Sequence, residues 1–143
     1  MLSTRFHSFG SLTTFYRAFF TSTKYTKSHE WVKLNGRIAT IGITDFAQRE
    51  LGEIVLIKLP KTNTEIQKGG IVSKIETNKT VTNVYCPFKG KIIEINQLLK
   101  SNKNLLKKSP KCDGWIVKIK IEEDEADKEM EKLLTEEQYK QHL

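Results

Sequence analysis

The chain has 143 residues, with 24 Lys+Arg against 17 Asp+Glu, 38% hydrophobic and 29% charged. That length holds one ordinary domain and excludes the long two-core α/β enzymes, and the composition is that of a globular chain, neither disordered nor collagenous. Two cysteines (Cys86 and Cys112) exclude a disulfide framework and a C-x-x-C site, the scattered His7, His29 and His142 argue against a histidine metal centre, and no apolar run approaches the ~20 residues of a membrane span.

Residues 1–23 contain Arg5 and Arg17, no acid, nine Ser/Thr and six aromatics. Basic, acid-free and hydroxyl-rich is the composition of an organelle transit peptide. Ser11, Thr13, Thr14 and Arg17 interrupt the apolar centre that a secretory signal needs. Arg17-Ala18-Phe19 resembles a processing site. The expectation is a mitochondrial transit peptide over 1–23, a place in the mitochondrial matrix, and a single folded domain over 24–143. The alternative is an N-terminal tail with no address.

Strand signals dominate the rest. Residues 31–34 and 37–41 flank Asn35-Gly36, a pair that tolerates positive φ and so predicts a hairpin. Thr44 is placed to N-cap a helix over 45–51, with Gly52 just past its end. Residues 53–59 read as a strand stopped by Pro60. Residues 71–76 alternate apolar and polar, as a strand with one face in a core does. Residues 81–85, 91–95 and 115–121 complete the series, and residues 100–113 read mostly as a loop. Short strands at this spacing predict a β-sandwich or barrel. Near the C-terminus, 124–134 reads as a helix with Met130, Leu133 and Leu134 to one side. Thr135 and Gln138 then form the ends of a capping box that starts a second, surface helix. Trp31 and Trp115 read as core anchors, and Gly42 and Gly52 as backbone-geometry positions.

Charge is uneven. Residues 24–121 carry 19 Lys+Arg against 8 acids, while residues 122–137 hold nine of the acids. So basic a body raises a nucleic-acid-binding β-domain as one reading. No RNA-binding aromatic strand, zinc spacing or helix-turn-helix accompanies it. A lysine-rich solvated surface that meets acidic protein partners is the preferred reading, with no nucleic acid and no membrane as partners.

The strands at 71–76 and 81–85 are separated by Thr77-Asn78-Lys79-Thr80, which puts Lys79 at or beside the tip of a turn. A lysine there is usually a solubilising charge. Its surroundings say more: Glu76-Thr77-Asn78-Lys79-Thr80, then Tyr85-Cys86-Pro87-Phe88-Lys89-Gly90-Lys91-Ile92. This resembles the H protein family of the glycine cleavage system, whose pattern is Glu-Ser-Val-Lys-Ala followed by Tyr-Ser-Pro-x-x-Gly-x-Val. Matching stretches at residues 25–32, 41–48, 51–55, 114–119 and 136–139 run in the same order from Tyr25 to the C-terminus.

The resemblance implies a mainly β, lipoyl/biotinyl-type β-sandwich (a barrel-sandwich hybrid) with a short internal helix and C-terminal helices. It implies a non-catalytic carrier with lipoic acid joined by an amide to Lys79. The arm would carry an aminomethyl group from the pyridoxal-phosphate glycine decarboxylase (P protein) to the tetrahydrofolate-dependent aminomethyltransferase (T protein). Dihydrolipoamide dehydrogenase (L protein) would reoxidise it, and a lipoyl ligase or transferase would attach it. Glu76 and Gly90 are implied as recognition positions for the attaching enzyme. Read on their own, Glu76 is a strand-end carboxylate and Gly90 a positive-φ turn glycine. Ser28 and Glu30 are implied as holders of the arm's amine in a sheltering cleft, or else they merely lead into the first strand. Asn83 stands where many relatives carry Asp, so weaker sheltering is expected. Asn78, Thr80, Lys107 and Cys112 also depart from the pattern, as does the basic body. Cys86 and Cys112 are expected as reduced thiols, the alternative being a disulfide between them, for which the sequence gives no Cα distance. Alternatives are another swinging-arm carrier, to which biotin-type Met flanks and acyltransferase-type Asp-Lys-Ala do not fit, or a lipoyl donor to other enzymes.

Overall fold

The computed structural model of the protein describes residues 22–143. Residues 1–21, and with them nearly all of the expected transit peptide, lie outside the described residues.

Among the described residues, nine strands form two antiparallel sheets. The larger contains β1 (Ser22–Tyr25), β2 (Glu30–Asn35), β3 (Ile38–Ile43), β9 (Val117–Lys120), β8 (Gly90–Ile95) and β5 (Glu65–Ile66), in that spatial order. The smaller places β6 (Ile71–Thr77) between β4 (Ile54–Lys58) and β7 (Val81–Tyr85). Inward-facing Val32, Ala39, Ile41, Ile92, Val117 and Ile119 of one sheet meet Ile54, Ile57, Val72, Ile75 and Val84 of the other, and all are buried. This is the expected mainly β sandwich.

Strict alternation fails at three places, each at a shift in strand register. Between Ile54 and Leu56 the register of β4 shifts. Val55 and Leu56 then both face outward, while Ile54 and Ile57 both face inward. In β6 the shift lies between Ile71 and Ser73, so Ile71 is exposed and Val72, Ser73 and Ile75 are buried. The clean alternation expected over 71–76 is therefore broken. In β8 a shift between Ile92 and Glu94 brings Ile92 and Ile95 to the same side. An extra residue in one strand moves every later side chain to the other face.

The β2–β3 hairpin is present, displaced by one residue from the expected turn. Asn35 pairs with Ile38, so the two central residues are Gly36 and Arg37. Gly36 takes φ +63° and Asn35 stays in the strand, the pattern of a turn with glycine first.

Helix α1 (Asp45–Glu50) is capped by Thr44, whose Oγ1 accepts the Ala47 N–H at 3.2 Å. It ends through an extended Leu51, not through a glycine in the left-handed region. The segment read as a loop (100–113) contains the last residues of one single-turn helix, α2 (Leu98–Ser101), which buries Leu99 just ahead of the segment, and the whole of another, α3 (Leu105–Lys108), which buries Leu106. Helix α4 (Glu123–Lys132) buries Ala126 and Met130, and stops before Leu134. Leu134 instead pairs with Tyr25, each N–H donating to the other's carbonyl at 2.8 Å. Helix α5 (Glu136–His142) has the expected Thr135–Gln138 capping box. It is exposed except for Tyr139, which stacks on Tyr25 with ring centroids 4.9 Å apart.

Trp31 is buried in this aromatic cluster and donates its indole N–H to Pro110 O at 2.8 Å, while Trp115 only packs at the edge. Gly42 serves the indole: a Cβ there would lie 2.5 Å from Trp31 Cζ2. Its role is side-chain room, not an unusual φ. Among the described residues, no helix is long and apolar enough to cross a membrane.

Candidate functional site

Lys79 is exposed at the tip of the β6–β7 hairpin, as expected. The turn is closed by Thr77, whose N–H donates to Thr80 O at 2.9 Å. Thr77 Oγ1 accepts the N–H of Lys79 and of Thr80, each at 3.2 Å. Asn78 N–H donates to Glu53 O at 3.0 Å, and Asn78 Oδ1 accepts the Glu53 N–H at 3.0 Å. The tip is thus held to the chain segment that enters β4. Gly52 makes this fit possible. A Cβ at Gly52 would collide with Asn78 Oδ1 and lie 3.2 Å from Lys79 Cγ.

Glu76 lies on the same hairpin, opposite Val81, with a 3.4 Å ion pair to Lys58 on the sheet surface. Exposed Leu56 and Val81 flank it. Gly90 is elsewhere. It starts β8 in the other sheet, opposite Ile66, and its φ is not in the left-handed region, which corrects the turn-glycine reading. A Cβ there would lie 2.5 Å from Lys120 O and 2.6 Å from Ile119 Cγ2. Close strand packing requires this glycine.

Ser28 and Glu30 come together in a cleft of about 360 Å³, which is also lined by Thr26, Tyr85, Glu129 and Leu133. Glu30 is 2% exposed. Its Oε1 accepts the hydroxyls of Thr26 and Ser28, and its Oε2 accepts the Tyr85 backbone N–H at 3.2 Å. A carboxylate has about four acceptor positions, so these three donors leave capacity for one more. Asn83 is not in the cleft wall. It sits two residues before Tyr85 on β7 and donates to Tyr85 Oη across a long 3.4 Å.

A second carboxylate, Glu129, bridges Lys68 at 2.9 Å and Lys132 at 3.2 Å at the cleft. The Lys68 hydrogen bond holds its carboxyl below the usual range against desolvation, and the hydrogen bond from Lys132 adds to the lowering. Cys86 also lines the cleft, but its Sγ donates to Phe88 O at 3.0 Å, and burial pushes the thiol up to about 11. A thiol kept protonated is a poor nucleophile toward a disulfide. Cys112 is exposed, and both thiols are free.

Behind the cleft, His29 Nδ1 and Thr44 Oγ1 each lie 2.7 Å from Tyr139 Oη. Burial, aided by His142, pulls His29 below its ordinary range, and burial pushes the Tyr139 phenol up. His142 Nε2 lies 3.2 Å from Lys27 O. The C-terminal helix therefore grips the 27–29 segment on both sides of Ser28.

Sequence reasoning missed Thr26, Tyr85 and Glu129. Thr26 carried a signal: hydroxyls four and two positions before Glu30 are placed to reach one carboxylate. The contacts of Tyr85 and Glu129 depend on the packing of distant strands and helices, which no local spacing encodes.

Comparison with known proteins adds the family. A model described as "Glycine cleavage H-protein" matches residues 23–143. Two proteins described as glycine cleavage system H protein, from Staphylococcus epidermidis and Thermotoga maritima, are each 43% identical to this chain, over 120 and 118 residues. They cover 84% and 82% of it, and 93% of their own lengths. The chain belongs to the glycine cleavage H-protein family. A crystal structure of a glycine cleavage system H protein from Mycobacterium marinum is also similar, with TM-score 0.72 and 25% identity, over 82% of this chain and 93% of that one. Proteins of the glycine cleavage H-protein family are carriers, not catalysts, and this chain is accordingly a carrier component. The relatives named here are bacterial.

Proposed function

We propose that this H-protein family member is a lipoyl carrier with Lys79 as its attachment point. The observation that carries the reading is the exposed Lys79 at a hairpin tip fixed by hydrogen bonds on both sides, within the family domain. The fit is good: Lys79 is exposed, Gly52 clears the lysine stem, and Glu30 keeps one acceptor position in the cleft that Tyr85 of β7 also lines. Attachment joins the lysine nitrogen to the carbonyl carbon of an activated acyl donor, whose leaving group departs while two of the ammonium's three protons pass to solvent and one stays on the amide nitrogen.

When bound, lipoic acid supplies the sulfur that carries an aminomethyl group and the disulfide that is reduced and reoxidised. The chain's own residues present and shelter. Lys79 holds the arm in solvent, where each partner meets it at high effective concentration. Glu30, oriented by Thr26 and Ser28, offers a charge-assisted hydrogen bond to an amine entering the cleft. Asn83 offers no charge. The buried, protonated Cys86 thiol does not exchange with the arm's disulfide.

The partners we infer are the P protein, the T protein, dihydrolipoamide dehydrogenase, and a lipoyl ligase or transferase. We assign the protein to the mitochondrial matrix. That assignment rests on the acid-free, hydroxyl-rich composition of residues 1–23, nearly all of which precede the family match. The test is loading. The protein, lipoylated in vitro, is mixed with glycine and the decarboxylase, and its intact mass is read. An aminomethyl mass increase in the native chain, absent in Lys79→Arg, is expected. No increase in the lipoylated native chain would sink the glycine-cleavage assignment.

A further inference from the structure

The turn that presents Lys79 is anchored from below by two side chains, Asn78 and Lys107. Asn78 Oδ1 takes the Glu53 N–H at 3.0 Å, while Asn78 N–H donates back to Glu53 O at the same distance. Lys107 Nζ donates to Leu51 O at 3.2 Å and to Gly52 O at 3.3 Å. Lys107 belongs to α3, which is pinned to the core by the fully buried Leu106. A neighbouring lysine, Lys103, adds a bond to Val55 O at 2.8 Å.

These contacts form one path. The core fixes α3, α3 fixes the carbonyls of residues 51 and 52, and Glu53 fixes Asn78, the residue before Lys79. An aliphatic side chain at position 78, as in the family pattern, has no atom to accept the Glu53 N–H. An uncharged, shorter side chain at position 107 has no ammonium to bridge two carbonyls.

We propose that Asn78 and Lys107 are positioning residues for the modification of Lys79: they lock the lysine turn onto residues 51–53, so the attaching enzyme meets the ε-amine in one orientation. The proposal rests on the carrier reading above. A turn that spends time unlocked offers the enzyme a smaller fraction of competent substrate, which raises KM and leaves kcat unchanged.

The test uses the full chain, and three variants are compared with it. Asn78→Val removes the acceptor, Asn78→Asp retains one, and Lys107→Met removes the ammonium without touching the turn. Amide hydrogen exchange at Glu53 reads the lock directly, with no lipoyl group present. Steady-state acylation of Lys79 by a lipoyl ligase, with lipoate and ATP, reads its consequence. Loss of one net hydrogen bond should speed Glu53 exchange about fivefold in Asn78→Val. KM for the protein substrate should rise at least about twofold with kcat kept. Asn78→Asp should restore both, and Lys107→Met should move both in the same direction as Asn78→Val. Unchanged Glu53 exchange in Asn78→Val, or faster exchange with an unmoved KM, would overturn the proposal. A native chain that the ligase does not acylate at Lys79 would instead overturn the carrier reading, and with it the functional half of this one.

Discussion

Glu30 and Tyr85 lie 55 positions apart, and Glu30 Oε2 accepts the Tyr85 backbone N–H at 3.2 Å. The bond ties β2 of the larger sheet to β7 of the smaller one beside the cleft. A residue offered for binding is thus also a structural strut. Glu30→Ala leaves the Tyr85 N–H without this acceptor and frees the Thr26 and Ser28 hydroxyls. A stability loss of about 1–3 kcal/mol is expected, read as a lower urea midpoint, with a smaller loss in Glu30→Gln. A native midpoint for Glu30→Ala would contradict the strut.

Asn83 is the position where charge can be restored. It stands beside Tyr85 on the strand that leads from Lys79 to the cleft. It lies four positions after Lys79, as the third residue of β7 (Val81–Tyr85). Asn83→Asp should lengthen the lifetime of the methylamine-loaded lipoylated protein, measured by loss of the loaded mass with time. Equal lifetimes would remove Asn83 from the account of sheltering.

Gly90→Ala separates packing from recognition. The added Cβ meets Lys120 O, a backbone atom that cannot swing away. Overpacking of this kind costs about 1–3 kcal/mol. The denaturation midpoint should fall, while acylation of Lys79, measured well below the transition, should proceed at near-native kcat/KM. A native midpoint combined with poor acylation would make Gly90 a direct recognition position.

Much of this architecture was legible in the sequence. Short runs of apolar and β-branched residues bounded by turn residues marked most of the core strands. Thr44 and Thr135 marked their helices, because only a short polar side chain there can take the orphan N–H groups. The two-residue β5 was too short to register, and half of β1 (Ser22 and Thr23) lay in the segment set aside as a presequence. The register shifts in β4, β6 and β8 were also invisible. They answer to the partner strand, not to the local sequence. The site followed the same division. Lys79 stood out through its turn and its neighbours. The Glu30–Tyr85 tie and the Asn78–Glu53 lock join residues that only the finished fold brings together.

The two cysteines should differ sharply in reactivity. Cys86 is fully buried with its thiol raised to about 11, and Cys112 is exposed. At pH 8 in native conditions, iodoacetamide should label Cys112 and leave Cys86 almost unmodified, with both labelled in denaturant. Comparable native rates, read by peptide mass spectrometry, would show that the Cys86 site opens to solvent.

The central claim is that Lys79 carries lipoic acid. The direct measurement is peptide-resolved mass spectrometry of the protein purified from its own cells, read at Lys79. A lipoyl adduct on that lysine is expected, with its loss in Lys79→Arg. An unmodified Lys79 in cells whose other lipoyl proteins are modified would contradict it, leaving an H-protein fold whose lysine-rich surface would be the next place to look.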